Sequence, residues 1–242
     1  MHDRIDGRVD PRRRLLLRPM KPSLAIVVPA GPGDRSWEAL LPQLAGAGAR
    51  EIVLVIPEGD AAPAAVLSAG VRLIEAAVGR AQQLNAGAAA TTSQWLWFVH
   101  ADTRLDARAI DALQRFMAAD ATAIGYFDLR FLRDGPRLTV LNTIGAHVRS
   151  RWLGLPFGDQ GLLMPRRVFD ALGHFDPGQP GGEDHALVWA ARRAGVPLQP
   201  VGAPIHTSAR KYAQRGWWAT TRQHLRLTCV QAWRYSRLER SR

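Results

Sequence analysis

The sequence contains a single cysteine, Cys229, which excludes an intramolecular disulfide framework and a zinc site made of cysteines. We interpret this residue as a small member of the hydrophobic core. Long apolar runs are also lacking, since none reaches the roughly eighteen residues of a membrane-spanning helix, and the N-terminus has no signal-peptide pattern. Together these absences predict a cytoplasmic location.

Lysine is scarce as well: only Lys21 and Lys211 occur, so arginine supplies nearly all of the basic charge behind the net charge of +11. Residues 1–21 hold seven basic and three acidic residues, and residues 210–242 hold nine basic and one acidic residue. The remaining 16 basic and 17 acidic residues leave the middle of the chain almost neutral. Nucleic acid is therefore not the expected partner, because the basic charge is confined to the ends and no base-stacking module is recognisable.

The length of 242 residues and the hydrophobic share of 47% suit one α/β domain. We divide the chain into a basic, disordered tail over residues 1–22, a domain over 23–216 and a basic amphipathic helix over 217–242. Met20 directly precedes the first apolar run, so it is an alternative start of translation.

Short apolar runs bounded by turn residues indicate buried parallel strands at Leu24–Val28, Ile52–Ile56 and Trp95–Val99. Between them lie the helical patterns of Trp37–Leu44 and Ala81–Ala90. Strands that alternate with helices predict a Rossmann-like, mostly parallel sheet flanked by helices, with ligands at the carboxyl ends of the strands.

The second half of the chain is less regular. Ile124–Phe131 and Gly161–Met164 have the pattern of strands, whereas Leu138–Arg151 and Arg166–Leu172 have that of helices. Residues 184–194 form the clearest amphipathic helix, because their apolar positions recur at helical spacing.

The segment FVHADTRL places Asp102 just beyond the third strand, where a carboxylate can hold Mg²⁺ or Mn²⁺ against a diphosphate. The alternative is that Asp102 caps a helix that begins near Asp106, or closes a turn. His100 is either an accessory group of that site or a structural histidine.

The segment GGEDHAL places Glu183 and Asp184 at the start of the helix over 184–194, where the helix dipole favours negative charge. One interpretation is a plain N-terminal cap. The other is a general base, since a carboxylate at a fixed position can accept the proton of an acceptor hydroxyl.

Two basic segments complete the candidates. In VGRAQQLNAG, Arg80 can reach a phosphate from the first turn of a helix that also carries Asn85, unless this is an ordinary Ala-rich helix. In TSARKYAQRG, a loop with Arg210, Lys211 and Arg215 suits a leaving diphosphate, unless its charge is merely solvated.

The C-terminal segment has apolar residues at helical spacing with arginines around them; the apolar residues are Trp217, Trp218, Leu225, Cys229 and Trp233. This pattern is typical of a helix that lies on an anionic membrane surface. The alternative is a helix that packs its tryptophans onto the domain.

The ordered motifs GRAQQLNAGAA, FVHADTRL, YFDLRF, FGDQGLLMPRRVFDALGHFD, GGEDHAL and TSARKY resemble those of the family-2 glycosyltransferases, which have the GT-A fold. The subgroup they resemble most is labelled radical-SAM/selenodomain-associated and is often linked to arsenosugar biosynthesis. The resemblance covers residues 23–230 and implies a single GT-A domain that transfers a sugar from a nucleotide-sugar donor.

By this resemblance, Asp102 binds a divalent cation, Mg²⁺ or Mn²⁺, and Asp184 is the catalytic base of the Glu-Asp pair that it forms with Glu183. The donor side is implied to include Pro29, Arg80, Asn85, Asp102, Arg210 and Arg215. The acceptor side is implied to include Gly158, Asp159 and Gln160.

The sequence departs from the family pattern at two positions. His100 replaces the first acidic residue of the metal motif, which lowers the expected affinity for the cation. Ile56 replaces the Asp that usually hydrogen-bonds uracil, so uridine specificity is open. The first loop, PAGPGDRSW, lacks the usual Asn-Glu, and Asp34 and Glu58 are the candidates that compensate.

The expected reaction is a metal-assisted inverting displacement with Asp184 as the base. A sugar-phosphate nucleotidyltransferase is the rival, because AGPGDR loosely resembles its Gly-rich loop, but the lysine that should follow is missing. A third alternative is a domain that has lost catalysis and only binds nucleotide sugars.

Overall fold

The structure is a computed structural model of the chain and describes residues 22–60, 70–119, 122–179 and 182–240. The expected basic tail over residues 1–22, with the alternative start at Met20, lies almost entirely outside the described residues.

The described residues form one seven-stranded sheet. In chain order its strands are β1 (Leu24–Pro29), β2 (Glu51–Pro57), β3 (Arg72–Ala76), β4 (Trp95–Phe98), β5 (Ile124–Phe131), β6 (Leu162–Pro165) and β7 (Leu198–Thr207). Their order across the sheet is β3-β2-β1-β4-β6-β5-β7. The neighbouring pairs β3–β2, β2–β1 and β1–β4 are parallel, and so is β5 with β7. Strand β6 runs antiparallel to both of its neighbours, β4 and β5. The expected α/β class with a mostly parallel sheet is confirmed.

The described α-helices flank this sheet. They are α1 (Leu41–Leu44), α2 (Arg80–Ala89), α3 (Ala107–Ala118), α4 (Thr139–Trp152), α5 (Arg166–Ala171), α6 (Glu183–Arg193), α7 (Arg210–Arg215) and α8 (Trp217–Arg240). None of the helices in the described ranges is both long and apolar enough to cross a bilayer.

The helix expected over Trp37–Leu44 is broken in two. Ser36–Ala39 is a 3-10 turn, and the α-helix begins only at Leu41. Pro42 explains the break, because it has no N–H for a helical bond to Glu38 and it disfavours helical geometry at the preceding residue.

Strands β3 and β7 are absent from the sequence-based expectations. Both are edge strands, and both carry several half-buried or exposed residues in place of a continuous apolar run. β7 also contains Pro200 and Pro204, which only an edge strand tolerates because proline cannot donate to the ladder. A search for buried apolar runs therefore does not find the two edge strands, β3 and β7.

The sheet separates two apolar layers, because neighbouring residues of each strand point to opposite faces. In β4, Trp97 packs on one face against Phe127, with ring centroids 5.3 Å apart, while Phe98 packs on the other against Phe169. Gly87 lets helix α2 approach the sheet closely, since a Cβ there would overlap Val27. This close packing fixes the position of the first turn of α2 at the carboxyl edge of β1.

Two expectations for the C-terminal part are wrong. Cys229 is exposed on helix α8 and is not a core residue. The basic loop expected over residues 210–215 is the short helix α7. Trp217 is half-buried and donates to Asn142 of α4 over 2.6 Å, but Trp218 is 76% exposed. The C-terminal helix thus packs on the domain along one side and leaves apolar side chains exposed on another.

Candidate active site

The reversed direction of β6 brings two of the predicted segments together. β4 and β6 are paired antiparallel, with Phe98 opposite Leu162, so the residues after β4 lie at the same edge as those before β6. The first group contains His100 and Asp102, and the second is the 3-10 turn Gly158–Gln160.

Asp184 lies in the first turn of α6 and contacts this turn directly. The backbone N–H of Gly158 donates to Oδ2 of Asp184 over 2.6 Å, and the backbone N–H of His185 donates to Oδ1 over 2.9 Å. A Cβ at Gly158 would lie 3.1 Å from Asp184 Oδ2 and 3.2 Å from His100 Nε2. A larger residue than glycine would fit here only if Asp184 or His100 moved by a few tenths of an ångström.

The surroundings of Asp184 keep it ionised. Burial alone raises its pKa, but His185, the Gly158 N–H, Arg80 and His100 outweigh burial and lower it below the ordinary value. His100 is itself uncharged at neutral pH, because burial and the charge of Arg80 lower its pKa to about 3. Burial likewise lowers the pKa of His185 to about 4, so the permanent positive charges that act on Asp184 are those of Arg80 and Arg149.

Asp102 follows β4 and faces the end of β7. The hydroxyl of Thr207 donates to its Oδ2 over 3.3 Å, and burial, followed by the negative charge of Asp34, raises the pKa of its carboxyl. The N-terminal cap of helix α3 is Asp106, whose carboxylate accepts from the N–H of Ala109, so the alternative role of Asp102 as that cap is wrong.

Arg80 opens helix α2 and is held by Glu183. Their side chains approach to 3.5 Å, with Glu183 buried and about half of the Arg80 side chain exposed. The guanidinium thus remains free to meet a ligand from solvent. Glu183 contacts Arg80, and its pKa is raised by burial and by the charge of Asp184.

Asp159 is half-buried, and several other charges act on it. Burial raises its pKa to about 6, Arg149 opposes this, and the charges of Asp184 and Asp102 add to the rise. Gly158, which precedes Asp159, lies beside both Asp184 and His100, so this turn joins the start of α6 to the segment that follows β4. The Oδ1 atom of Asp159 has no hydrogen-bond partner among the described residues.

Arg149 of helix α4 is a residue that the sequence reasoning missed. Its guanidinium donates to Oε1 of Gln160 over 3.0 Å and lies 3.0 Å from the centroid of the Phe157 ring. Burial lowers its pKa to about 10, so it stays charged. The opposite side of Phe157 is in contact with the imidazole of His185, at 3.5 Å between ring centroids. Nothing in the spacing of the sequence links these residues.

Gln160 is fully buried and has a structural role in the turn. Its side-chain amide donates to the carbonyl of Phe127 and to the hydroxyl of Ser150, over 3.0 and 3.1 Å. Its Oε1 also accepts from the N–H of Phe157. These bonds fix the turn that carries Gly158 and Asp159.

Asn85 is not brought to the carboxylates. Its Nδ2 donates to the carbonyl of Phe175 over 2.8 Å, and its Oδ1 accepts from the Phe175 N–H over 3.1 Å. Both polar atoms of this amide are used to hold the loop before α6, so we leave Asn85 out of the proposed donor site.

Helix α7 carries the three basic residues of the predicted basic segment, Arg210, Lys211 and Arg215. Arg210 donates to Ser36 over 3.0 Å, and Lys211 lies 3.2 Å from His224 of α8. Burial lowers the pKa of Lys211, and the charge of Arg215 and then that of Arg80 lower it further, against the pull of Asp159 and Asp102. The charge of Lys211 is therefore coupled to those of Asp159 and Asp102.

A small open pocket lies beside β1 and β2, and its lining residues include Trp37, Asp34, Asp60 and Ile56. Ile56, which stands where the family resemblance implies an Asp, lines this pocket. Of the two candidates to replace its missing carboxylate, Asp34 lines this pocket, whereas Glu58 is not among the described lining residues. Pro29 ends β1, immediately before the loop that forms the pocket.

The described residues contain no cluster of three or more His, Cys, Asp or Glu side chains that could hold a metal ion. Asp102 with the Thr207 hydroxyl nevertheless offers oxygen ligands of the kind that Mg²⁺ and Mn²⁺ prefer. A cation here would need most of its ligands from a bound diphosphate and water.

The mostly parallel seven-stranded sheet flanked by helices has the GT-A fold. The chain belongs to the glycosyltransferase-like family 2, since the model of that family matches residues 22–229. It is accordingly a glycosyltransferase. The resemblance to the radical-SAM-associated subgroup stays a prediction.

Several solved structures share the fold. The mannosyltransferase PcManGT from Pyrobaculum calidifontis in complex with GDP-Man and Mn²⁺ is 18% identical with a TM-score of 0.59, over 92% of this chain and 69% of that chain. Glucosyl-3-phosphoglycerate synthase from Mycobacterium tuberculosis, in complex with Mn²⁺, UDP-Glc and phosphoglyceric acid, is 15% identical with a TM-score of 0.55, over 75% and 70%. TarS of S. aureus is 13% identical with a TM-score of 0.59, over 77% and 60%. No curated protein sequence matches the chain.

Proposed function

We propose that the chain transfers a sugar from a nucleotide-sugar donor to an acceptor hydroxyl with inversion, and that Asp184 is the general base. The observation that carries this proposal is the state of Asp184: it is ionised, fixed by the N–H of Gly158, and adjacent to the half-exposed guanidinium of Arg80. The displacement requires a base and a positively charged group that binds phosphate, and both must lie at the same edge of the sheet.

In the proposed step, the acceptor oxygen forms a bond to the anomeric carbon while its proton passes to the Asp184 carboxylate. The bond between the anomeric carbon and the diphosphate oxygen breaks, and its electron pair leaves with the nucleoside diphosphate. Attack comes from the face opposite the leaving group, so the configuration inverts.

The positive groups around the cleft support departure of the diphosphate. Arg80 is held toward the cleft by Glu183, and helix α7 contributes Arg210, Lys211 and Arg215. Fixed positive charge in a partly buried site stabilises developing negative charge more than it would in water. We assign Arg80 and these residues of α7, together with Pro29 and the adjoining pocket, to the donor side.

Asp102 would hold a divalent cation, which would neutralise part of the negative charge on the leaving diphosphate. Burial and Asp34 raise the pKa of the Asp102 carboxyl, so a nearby cation would relieve an unfavourable negative charge. Two of the structurally similar proteins were solved with Mn²⁺. Because few protein ligands are present, we expect the cation to bind well only with the nucleotide.

The acceptor side is assigned to the turn Gly158–Gln160, which contacts the base. Gly158 positions Asp184, Asp159 adds a second carboxyl, and Gln160 holds the turn in place. The nucleotidyltransferase rival is disfavoured by the sequence, because no lysine follows AGPGDR where that class of enzyme needs one.

Calorimetric titration with a panel of UDP-, GDP-, ADP- and dTDP-sugars, with and without Mn²⁺, tests the donor class first. Binding of one nucleotide sugar, strengthened by Mn²⁺, is expected. Sugar transfer by the intact chain then separates an enzyme from a domain that only binds. Release of pyrophosphate from a nucleoside triphosphate and a sugar phosphate would instead identify a nucleotidyltransferase.

A further inference from the structure

The exposed apolar side chains of this chain are concentrated on two helices. Of the 13 large hydrophobic residues that are exposed in the described ranges, 12 lie on α4, on the residues flanking α4, or on α8. Three examples are Trp152, Trp218 and Trp233, with exposures of 82%, 76% and 59%. Tryptophan is usually well buried, so exposed tryptophans concentrated on two neighbouring helices point to an interaction site.

Some of the exposed residues form a stripe on each helix. On α4 the stripe contains Leu141, Ile144, Val148 and Trp152, and on α8 it contains Trp218, Leu225, Cys229 and Trp233. Both sets recur at the three- and four-residue spacing of one helix face.

A hydrogen-bonded seam joins the two helices. Asn142 of α4 accepts from the Trp217 indole over 2.6 Å and donates to Thr221 of α8 over 3.0 Å. Leu141 and Trp218 are each adjacent in sequence to a residue of this seam. We call the two stripes together the α4/α8 face.

The charge of this face has one sign. Helix α4 contains no Asp or Glu, and α8 contains none before Glu239. Arg222 and Arg226 are exposed on α8 and lie at helical spacing from Trp218 and Trp233. The two helices therefore combine apolar side chains with positive charge over these residues, and Asp128 of β5 pairs with Arg151 of α4.

We propose that the α4/α8 face docks the protein on the surface of an anionic lipid membrane. Tryptophan side chains favour the boundary between headgroups and acyl chains, and arginines beside them are attracted to anionic lipid. A second copy of the chain fits less well, since a twofold contact through this face would place Arg222 and Arg226 near their own copies. The inference does not depend on the sugar-transfer chemistry.

Vesicle flotation of the full chain tests the proposal. Vesicles of phosphatidylcholine with phosphatidylglycerol are expected to carry the protein with them, whereas phosphatidylcholine alone carries much less, and added salt weakens the binding. The double substitution Arg222→Glu and Arg226→Glu is expected to reduce partition into the anionic vesicles by roughly tenfold or more. Trp152→Gln and Trp218→Gln are expected to weaken it as well.

Val78→Gln is the matched control, because Val78 is a 66% exposed apolar residue outside the α4/α8 face. It is expected to leave flotation unchanged. Equal flotation with neutral and anionic vesicles, or no flotation at all, overturns the proposal. So does a lipid-free dimer in sedimentation that Trp218→Gln dissociates, since the occupant of the face is then a second copy.

Cys229 supplies an independent measurement, since it is the single cysteine of the chain and is exposed within the α8 stripe. An environment-sensitive fluorophore attached there is expected to shift to the blue on anionic vesicles. In the control, the fluorophore is attached to Arg108→Cys on α3 in a Cys229→Ser chain, and its emission is expected to stay constant. Donor binding by calorimetry reports separately on the nucleotide site, so failure of docking and failure of the proposed function are distinguishable.

Discussion

The Gly158 N–H donates to the carboxylate of Asp184 over 2.6 Å, so a turn before β6 holds a side chain from the start of α6. This bond leaves Asp184 with unused acceptor positions, because a carboxylate can accept about four hydrogen bonds. Fixing one oxygen while the group stays ionised is what a base for an acceptor hydroxyl requires.

Asp184→Asn is expected to lower kcat for sugar transfer by at least about a hundredfold, because the amide cannot take the acceptor proton. The affinity for the donor, measured by calorimetry, is expected to change little. Glu183→Gln is the neighbouring control: it removes the partner of Arg80 and is expected to raise the KM for the donor more than it lowers kcat. Full turnover by the Asn variant would remove Asp184 from the mechanism.

Gly158→Ala is expected to lower kcat by about tenfold while the chain stays folded. The new Cβ would lie 3.1 Å from Asp184 Oδ2 and 3.2 Å from His100 Nε2, so the base must move by a few tenths of an ångström. Misplacement of a reacting group is costly even at this scale. Gly145→Ala on α4, where the added Cβ meets nothing within 4 Å, is the matched control and is expected to keep full activity.

Arg80→Gln is expected to move the acid limb of the kcat/KM profile to higher pH. The positive charge of Arg80 helps to lower the pKa of Asp184, so its removal raises that pKa, and the base becomes protonated at a less acidic pH. Arg80→Lys keeps the charge and is expected to keep the acid limb near that of the unchanged protein. Identical acid limbs in the Gln and Lys variants would contradict the assignment of Asp184 as the titrating base.

Asp159→Asn is expected to raise the free energy of unfolding above that of the unchanged protein, and by more at pH 8 than at pH 5. Burial raises the pKa of Asp159 to about 6 in the folded chain, against an ordinary value near 3.8, so the folded state binds the proton more tightly than the unfolded state. The contribution of Asp159 to the free energy of unfolding is therefore greatest at acidic pH and is lost as the pH rises through about 6.

Urea unfolding of both forms at pH 5 and pH 8 measures this effect of Asp159→Asn. The difference between the variant and the unchanged protein should favour the variant more at pH 8. A difference that does not vary with pH would mean that Asp159 titrates in its ordinary range and is not held in a buried position.

The sequence was sufficient to predict the central strands and the positions of Asp102 and Asp184 at strand and helix ends. Buried parallel strands are continuous apolar runs, and β1, β2 and β4 have that pattern. The edge strands β3 and β7 do not, because one side of an edge strand contacts solvent and its composition is mixed.

The residues around Asp184 could not be predicted from the sequence for a different reason. Arg149 lies on α4 and His185 on α6, and they meet only because both pack against the ring of Phe157. Such a contact depends on how a helix is rotated against the sheet. For Cys229, residue type favoured burial, whereas the rotation of α8 about its axis exposes it.

The antiparallel course of β6 also determines which parts of this chain can diverge independently. The segment between α4 and β6 leads into the turn that we assign to the acceptor, whereas the loop after β1 lines the pocket that we assign to the donor, across β4. Insertions or exchanges in the stretch 153–157 should alter which hydroxyl is accepted and leave recognition of the nucleotide intact, and changes in 31–35 should do the reverse. Directed evolution toward new acceptors therefore has a short, separable target in this scaffold.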